Sequence, residues 1–444
     1  MNESPTLGSF LKRLDSEGEL REIPRELSPA FEAAAAEQFF DSGRALVIRA
    51  RGHDFPIVAN ILNTKRKYEI ALGVPPGGAE DAFSNAIAKA SKPREATGGF
   101  LKNDVKVDLE RLPVVSHFER DAGPYVTSSL VMARDGRTGA QNMSVHRLLR
   151  VSKDSFVIRM VEGRHLHRAF AVAGEAGGDL PVAVAIGVHP AVEIAASYQA
   201  PYGVDELDIA NGMLGGALTT TEVEGGLRVP SCAEIVLVGR ILRDRSMDDC
   251  MVEMLGNYDM SRKQPVVKVE RMYHRDGAVY RDILPGGREH RLLMSYAVEV
   301  KLNRAVRDVV PTTRRVVLTD GGRNWLHAVI QMKKRLQGEP KNAILAAFAA
   351  HPSLKHVVVV DEDIDPADPV AVEYAVASRF QASEGLVVVK GAKGSSLDPS
   401  SDQKLLLTDK MGLDATASLT KDPGRFEMGR IPGYDKMKEE MGRI

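Results

Sequence analysis

The sequence predicts a mixed, multidomain protein of the α+β and α/β classes with a β-rich centre. Between residues 105 and 305, short apolar runs such as SSLVMA, EIVLVGRIL and SYAVEVKL are separated by Gly, Pro and Asp clusters. This spacing favours a barrel-like or sandwich-like β domain. After residue 306, strand and helix patterns alternate at longer spacing, which is typical of a parallel, helix-covered sheet.

The changes of pattern divide the 444 residues into three predicted domains. Residues 1–104 form an N-terminal α/β domain, since LGSFLKRLDSEGEL has the apolar spacing of a helix. Residues 105–305 form the β-rich domain, and residues 306–444 form a C-terminal α/β domain with a terminal helix. In this last domain RRVVLT, HVVVVDEDID and GLVVVKG predict strands, whereas NWLHAVIQMKKRL, KNAILAAFAAHP and PVAVEYAVASRF predict helices.

Composition and charge limit the partners that the protein is expected to bind and the cellular compartment in which it is expected to occur. The formal net charge of −1 gives no basic field that would attract nucleic acid. No stretch approaches the roughly 18 uncharged apolar residues of a membrane span. Cys232 and Cys250 have no metal-site spacing and fit a reducing compartment. We therefore expect a cytoplasmic protein that binds neither nucleic acid nor membrane.

A polar segment between residues 139 and 170 carries amide, hydroxyl, guanidinium and imidazole groups. In a strand, alternate residues share a face, so Asn142 and Ser144 can point the same way. Taken singly, each of these residues is more often part of a solvated surface than of a site. The candidates are Asn142, Ser144, His146, Arg147, Arg164, His165, His167 and Arg168.

Two carboxylates stand at the start of a predicted helix. Asp205 and Glu206 follow a Pro and Gly turn, where carboxylates usually cap the helix. The alternative is a metal site, because Asn, His and Glu side chains together offer oxygen and nitrogen ligands that suit Mn²⁺ or Mg²⁺. Sequence spacing leaves both interpretations open.

The segment RSMDDCMVEMLGNYDM places acidic side chains among apolar ones. Asp248, Asp249 and Glu253 have methionine, valine and leucine neighbours. Such surroundings favour the neutral form of a carboxyl and raise its pKa, as a general acid near neutral pH requires. The alternative is a charged loop.

These three clusters, in this order, resemble the UbiD / ferulic acid decarboxylase family over nearly the whole chain. The family motif N-x-S-x-x-R matches Asn142, Ser144 and Arg147. The segments LPGGREHRLLM and RFQASEGLVVVKGAKGSSLDPS most resemble the archaeal-type branch, in which the role is anhydromevalonate phosphate decarboxylation. The resemblance implies a central split-barrel domain that binds flavin and a C-terminal α/β domain that mediates oligomerisation.

The resemblance also implies a prenylated FMN cofactor, held with Mn²⁺ (or Mg²⁺) and K⁺. A flavin prenyltransferase would supply this cofactor. The residues matching the family's metal ligands are Asn142, His165 and Glu206. The residues matching its cofactor-binding positions are Asn142, Ser144, Val145, Arg147, Arg164, His165, Ser197 and Glu206.

The family's catalytic trio of one arginine and two acids falls on Arg147, Asp248 and Glu253 when the turn GNYD anchors the alignment. Family members usually have E-G-P-F before the second acid, whereas this chain has D-D-C-M. An alignment shifted by one residue selects Asp249 in place of Asp248. We expect Arg147 to orient the substrate carboxylate and Glu253 to deliver a proton.

The implied activity is the non-oxidative removal of CO2 from an α,β-unsaturated, acyclic carboxylic acid. Anhydromevalonate phosphate and a polyketide acid that yields a terminal alkene are the two candidates. Gly394, Ser395 or Ser396 stands where aromatic-acid decarboxylases place a phenylalanine, which favours an acyclic substrate. The alternatives are a decarboxylase of aromatic or heteroaromatic acids, a non-catalytic prenyl-FMN-binding protein, and a scaffold with a vestigial site. A homo-oligomer, either dimer or hexamer, is expected.

Overall fold

The computed structural model describes residues 4–429 and 431–441. It confirms the predicted mixed α/β class and contains two compact units, of which the first ends at Val300 and the second begins at Lys301. The predicted division of the first part at residue 104 stays a prediction. None of the helices in the described ranges combines the length and the apolar character that a membrane crossing requires.

The α-helices of the described residues are α1 (Leu7–Ser16), α2 (Glu32–Phe39), α3 (Lys65–Leu72), α4 (Ala79–Ala88), α5 (His165–Glu175), α6 (Pro190–Ser197), α7 (Glu206–Met213), α8 (Arg288–Val309), α9 (Glu339–Ala350), α10 (Pro369–Arg379), α11 (Ala382–Gly385) and α12 (Tyr434–Met441). Short 3₁₀ turns lie at Gly99–Lys102, Leu109–Arg111, Glu224–Gly226 and Pro423–Phe426.

The strands are β1 (Leu20–Glu22), β2 (Ala45–Ile48), β3 (Ile57–Ala59), β4 (Arg94–Glu95), β5 (Asn103–Val105), β6 (Tyr125–Arg134), β7 (Gln141–Ser152), β8 (Ser155–Ile158), β9 (Leu180–Ile186), β10 (Thr219–Val223), β11 (Leu227–Pro230), β12 (Ile235–Asp249), β13 (Arg262–His274), β14 (Tyr280–Arg281), β15 (Thr313–Leu318), β16 (His327–Met332), β17 (His356–Val360), β18 (Leu386–Lys393) and β19 (Leu407–Asp414).

A closed barrel forms the centre of the first unit. Its strands follow the order β12-β9-β6-β7-β8-β13, and β13 pairs again with β12, so the sheet closes on itself with antiparallel neighbours throughout. Closure leaves no free edge among these six strands. Buried aliphatic side chains such as Val131, Val184 and Leu237 belong to one core cluster, and a second cluster joins the barrel to α6 and α7.

Gly239 permits β12 to bend within this barrel. A β-bulge between Val238 and Gly239 shifts the register of β12 against β13. A Cβ atom at position 239 would lie 2.0 Å from the carbonyl oxygen of Lys268, so only glycine fits there.

The second unit contains a five-stranded sheet in the order β15-β16-β17-β19-β18. The prediction of a parallel sheet is right for its central pairs, β16–β17 and β17–β19, whereas both outer pairs are antiparallel. The predicted helix NWLHAVIQMKKRL was wrong, because this segment contains β16. SYAVEVKL, read as a strand-like run, lies in α8.

His351 of the second unit leads to a prediction on acid stability. Its ring packs edge-on against Trp325, the single tryptophan of the sequence, with ring centroids 4.6 Å apart. Burial lowers the pKa of His351 to about 4, below the value of about 6.5 in an unfolded chain. The unfolded state therefore binds the proton first, and stability present above about pH 6.5 is lost as the pH falls towards 4.

We expect the free energy of unfolding of this unit, followed by Trp325 fluorescence in urea, to decrease over that pH range. His351→Gln should make the decrease smaller while preserving a side-chain donor for the Trp325 carbonyl, which lies 3.2 Å from His351 Nε2. Equal pH slopes in the two proteins would exclude His351 as a source of the effect.

Candidate functional site

Strand β7 carries the first group of polar side chains on one face. The Asn142 amide donates to Ser144 Oγ at 2.9 Å, and Ser144 Oγ lies 2.9 Å from His146 Nε2. These contacts confirm the shared face that strand alternation predicted. His146 Nδ1 lies 2.8 Å from the Arg159 carbonyl and must donate to it, because a carbonyl only accepts. Burial lowers the pKa of His146 to about 4, so the ring is neutral at pH 7.

Asn142, His165 and Glu206 come together as the Asn–His–Glu set. His165 opens α5, and its Nδ1 lies 3.0 Å from Asn142 Oδ1. Glu206 opens α7, and its carboxylate accepts the backbone N–H of Met143 at 2.8 Å. Asp205 is the residue that caps α7, since its side chain accepts from the N–H of Leu207. Glu206 is thereby left to face β7.

The electrostatics of the Asn–His–Glu set fit a cation. Glu206 is 2% exposed, and burial raises its pKa to about 8. Burial also lowers the pKa of His165, which favours the neutral, metal-ligating imidazole. A carboxylate whose charge is disfavoured by burial is stabilised by a nearby positive ion. Oxygen, nitrogen and oxygen donors together suit Mn²⁺ or Mg²⁺.

The remaining predicted cofactor-binding residues lie on the same elements or next to them. Val145 is half-buried on β7, Arg164 is the N-cap of α5, and Ser197 ends α6 with its hydroxyl bonded to the Ile194 carbonyl at 2.8 Å. Within residues 4–429 and 431–441, no hydrogen bond links Val145, Arg164 or Ser197 to the Asn–His–Glu set. Their cofactor contacts stay predictions.

Tyr202 lies beside this set and was not predicted. Its ring meets that of His165 at 79° with centroids 5.4 Å apart, and the Arg168 guanidinium lies 5.7 Å from the ring centroid. The Tyr202 hydroxyl donates to Asp135. A single tyrosine in a Pro and Gly turn carries no sequence signal that would have identified it.

Arg147, further along β7, holds two acids and forms what we call the Arg147 cluster with Asp249 and Glu253. Arg147 Nη2 lies 2.7 Å from Asp249 Oδ2, and Nη1 lies 2.5 Å from Glu253 Oε1. The side chains of Arg147 and Asp249 are 11% and 1% exposed, whereas that of Glu253 is 24% exposed. The cluster is therefore a buried ion pair with a second, more accessible acid.

Asp249 takes the place that the sequence assigned to Asp248. Both residues end β12, where successive side chains point to opposite faces. Asp248 is exposed, whereas Asp249 is buried against Arg147 and accepts the Tyr125 hydroxyl at 2.8 Å. The pleat of the strand thus brings Asp249, the alternative that the shifted alignment left open, to Arg147 in place of Asp248, and its catalytic role stays a prediction.

Glu253 has the electrostatic character of a proton donor. Burial is the main cause that raises its pKa, the Asp259 charge raises it further, and Arg147 opposes both. Asp259 Oδ2 lies 3.6 Å from Arg147 Nη2 and 3.1 Å from Arg262 Nη1. Asp249, by contrast, is fixed by hydrogen bonds from Tyr125 and Arg147, so its chemistry is that of an anchor for the guanidinium.

The turn at residues 284–287 and the first residues of α8 form a second feature that sequence reasoning missed. A Cβ at Gly286, which has a φ of +69°, would lie 3.0 Å from Cα of Gly256 and 3.1 Å from the carbonyl oxygen of Glu253. His290 Nδ1 accepts the Gly286 N–H at 3.1 Å. Burial, and then the Arg147 charge, lowers the pKa of His290 to about 4, so Nε2 carries its proton. His290 thus adds a neutral donor near the cluster.

Comparison with models of known protein families assigns most of the chain to three domains. Three models match along the chain: the 3-octaprenyl-4-hydroxybenzoate carboxy-lyase N-terminal domain over residues 11–85, the Rift-related domain over 91–288, and the C-terminal domain over 291–415. The chain belongs to the UbiD family. Its family membership makes it a carboxy-lyase, as the sequence predicted.

Among relatives of this UbiD-family protein, the anhydromevalonate phosphate decarboxylase of Methanocaldococcus jannaschii is 47% identical over 329 residues, 74% of this chain and 77% of the relative. The structure of the UbiD-class enzyme HmfF from Pelotomaculum thermopropionicum in complex with FMN superposes with a TM-score of 0.95 at 38% identity, covering 98% of this chain and 100% of that one. An evolved dimeric form of HmfF in complex with prFMN gives a TM-score of 0.90 at 36% identity, covering 97% and 98%.

Proposed function

We propose that this UbiD-family protein decarboxylates an α,β-unsaturated acid with prenylated FMN, and that anhydromevalonate phosphate is its substrate. The observation that carries the proposal is the Arg147 cluster, in which a buried guanidinium holds one anchored acid and one accessible acid of raised pKa. An arginine that orients a carboxylate next to a proton donor is what removal of CO2 followed by protonation requires.

The Asn–His–Glu set and the Arg147 cluster lie at two places along β7. Asn142 and Arg147 are five residues apart, which in a strand corresponds to about 16 Å, and this odd spacing turns their side chains to opposite faces of the strand. The Asn–His–Glu set would hold the cofactor phosphate, and Arg147 would act on the substrate. Mn²⁺ (or Mg²⁺) would bind Asn142, His165 and Glu206, and K⁺ would lie nearby.

Each protein group has a separate role in this proposal. When bound, prenylated FMN supplies the electron sink that loss of CO2 from an sp² carbon needs. Arg147 binds the substrate carboxylate, because a guanidinium pairs with planar anions. Asp249 keeps Arg147 in place, and Glu253 delivers the proton to the product carbon. Val145, Arg164 and Ser197 would contact the cofactor near the ion.

The choice of substrate is supported by similarity and by side-chain size. The Methanocaldococcus jannaschii relative is an anhydromevalonate phosphate decarboxylase. Gly394, Ser395 and Ser396 are small, so the chain lacks the phenylalanine that aromatic-acid decarboxylases have there. A polyketide acid is the acyclic alternative, and an aromatic or heteroaromatic acid is the alternative that these small residues disfavour.

Decarboxylation by the full chain, co-expressed with a flavin prenyltransferase, tests the proposal. We expect CO2 release from anhydromevalonate phosphate and little from polyketide-type enoic acids or aromatic acids. Release from an aromatic acid alone would overturn the substrate assignment. A flavin-loaded protein that releases no CO2 from any of them would favour the non-catalytic binding protein, which the intact Arg147 cluster argues against.

Glu206→Ala should abolish binding of the metal and the cofactor together. The substitution removes the one carboxylate of the Asn–His–Glu set, and with it the charge that attracts the ion. Flavin absorbance and manganese content after desalting measure the loss. Glu222→Ala, which removes an exposed glutamate of β10, should retain both. Normal loading of Glu206→Ala would contradict the metal assignment.

A homo-oligomer, dimer or hexamer, is also part of the proposal. Leu386 and Val388 of β18 and Met411 of β19 are 41%, 51% and 36% exposed, and Val388 pairs with Met411 across the two strands. An apolar patch on an outer strand favours association with a second copy. Val388→Lys should lower the mass measured by light scattering, and an unchanged mass would exclude this face.

The free thiols of Cys232 and Cys250 support a cytoplasmic location.

A further inference from the structure

A second group of buried polar side chains lies in the first unit, at Glu37 of α2, His117 ahead of β6 and Asp282 after β14. One ligand-capable atom from each residue lies within 4.8 Å of those of the other two. Glu37 and Asp282 are 0% exposed and His117 is 6% exposed. Among the described residues, no hydrogen bond joins these three to the Arg147 cluster.

The unpartnered atoms of this group belong to Glu37 and His117. Both carboxylate oxygens of Glu37, together with His117 Nδ1, are buried without a hydrogen-bond partner. Asp282 is better satisfied, because Oδ2 lies 2.8 Å from His117 Nε2 and Oδ1 accepts the Thr127 hydroxyl at 2.9 Å. Buried polar atoms are nearly always paired or bound to an ion, so the unpartnered Glu37 oxygens beside His117 and Asp282 indicate a missing partner.

The nearby cationic side chains are engaged elsewhere. Arg281 forms ion pairs with Glu193 at 3.2 Å and with Glu289 at 2.7 Å. Lys67 donates to the carbonyls of Gly43 and Asn60 and to the Asn63 side chain. In the described part of the chain, Glu37 and Asp282 therefore have neither lysine nor arginine as an ion-pair partner, and a divalent cation would supply the positive charge.

We propose that Glu37, His117 and Asp282 bind a divalent metal ion of the Zn²⁺ or Mn²⁺ type. Imidazole nitrogen and carboxylate oxygen are the ligands these ions accept at about 2.0–2.2 Å. Ligand atoms on opposite sides of one ion are thus about 4 Å apart, and the ligand atoms of this group all lie within 4.8 Å of one another, so binding needs at most a small contraction. Water would complete the coordination.

The ion has a positioning role in this proposal. Asp282 precedes the turn that leads into α8 and His290. His117 precedes Asp121, which accepts the Val252 N–H at 3.3 Å next to Glu253. One ion would tie α2 to both segments. Binding of the ion at this site requires neither the flavin nor the proposed decarboxylation.

Metal content of the full chain, produced without a flavin prenyltransferase, tests this site. The protein is incubated with Zn²⁺ or Mn²⁺, desalted and measured by inductively coupled plasma mass spectrometry. We expect one ion per chain in Glu206→Ala, because this variant lacks the carboxylate of the Asn–His–Glu set and keeps only the site proposed here. Adding Glu37→Gln or His117→Asn to Glu206→Ala should remove that ion. A chelator should lower the Tm of the wild type and of Glu206→Ala.

Two results would overturn the proposal: a Glu206→Ala protein that holds no ion after incubation, or a protein with both Glu206→Ala and Glu37→Gln that keeps it. A third outcome combines a wild type that binds no ion with a Glu37→Gln variant whose Tm is unchanged. This outcome would indicate instead that Glu37 and Asp282 share a proton. Circular dichroism checks folding of the variants, and the chelation experiment on the wild type decides the question if a variant fails to fold.

Discussion

Glu253→Gln should retain flavin and metal but lose decarboxylation, with kcat lower by about 10²–10⁴-fold. The amide keeps the shape of the side chain and can still accept from Arg147, but it has no acidic proton to deliver. Glu206 and the rest of the Asn–His–Glu set are untouched, so loading should be normal. Flavin absorbance and single-turnover CO2 release measure the two properties separately.

The pH dependence of kcat gives a second measurement on Glu253. Its pKa is raised mainly by burial, so the protonated acid persists to higher pH than in an exposed glutamate. Activity that needs this proton should fall as the pH rises through the raised value, and the residual activity of Glu253→Gln should not follow that fall. Because Asp259 and Arg147 act on the same group, the profile belongs to the cluster as a whole. Glu222→Gln is the matched control, and full activity of Glu253→Gln would remove Glu253 from the role of acid.

Asp249→Asn and Asp248→Asn should differ sharply although the two residues are neighbours. Asp249→Asn removes the buried charge that holds Arg147 Nε and Nη2, and we expect kcat/KM to fall at least about tenfold with a rise in KM. Asp248 is exposed, so Asp248→Asn should stay within about twofold of the wild type.

Asp249→Glu tests whether Asp249 positions Arg147 or only stabilises the folded protein. It restores the charge, and partial recovery of KM without recovery of Tm would indicate that Asp249 acts through Arg147. Equal losses in Asp248→Asn and Asp249→Asn would contradict the assignment of the inner acid.

The Asp248 and Asp249 case illustrates what sequence could predict of the site. Motif spacing selected Arg147, Glu253 and the three residues of the Asn–His–Glu set, and their roles stay predictions. It did not identify which of two adjacent aspartates faces inward, because that depends on the register of β12 against β13 and on the bulges in that pairing. His290 and Tyr202 were missed since their proximity to the site arises only from tertiary folding.

The fold was predictable where the periodicity of apolar residues is strong. It was ambiguous where a segment is buried on both of its faces. The segments that form α9, β17 and α10 were assigned correctly from their patterns. Strand β16 was mistaken for a helix because it is enclosed by β15 and β17, and four of its six residues are buried, so the alternation of an exposed strand is absent. A short apolar run of this kind fits a helix or a strand equally well.

The contact between Gly286 and Gly256 restricts how new specificities can be selected in this scaffold. Two backbone segments meet there with no room for a Cβ, and one of them carries Glu253. Any side chain introduced at position 286 would push the acid-bearing loop away from Arg147. A mutant library aimed at other carboxylic acids should therefore keep this glycine fixed and vary positions such as Tyr202, where a side chain changes contacts without displacing backbone.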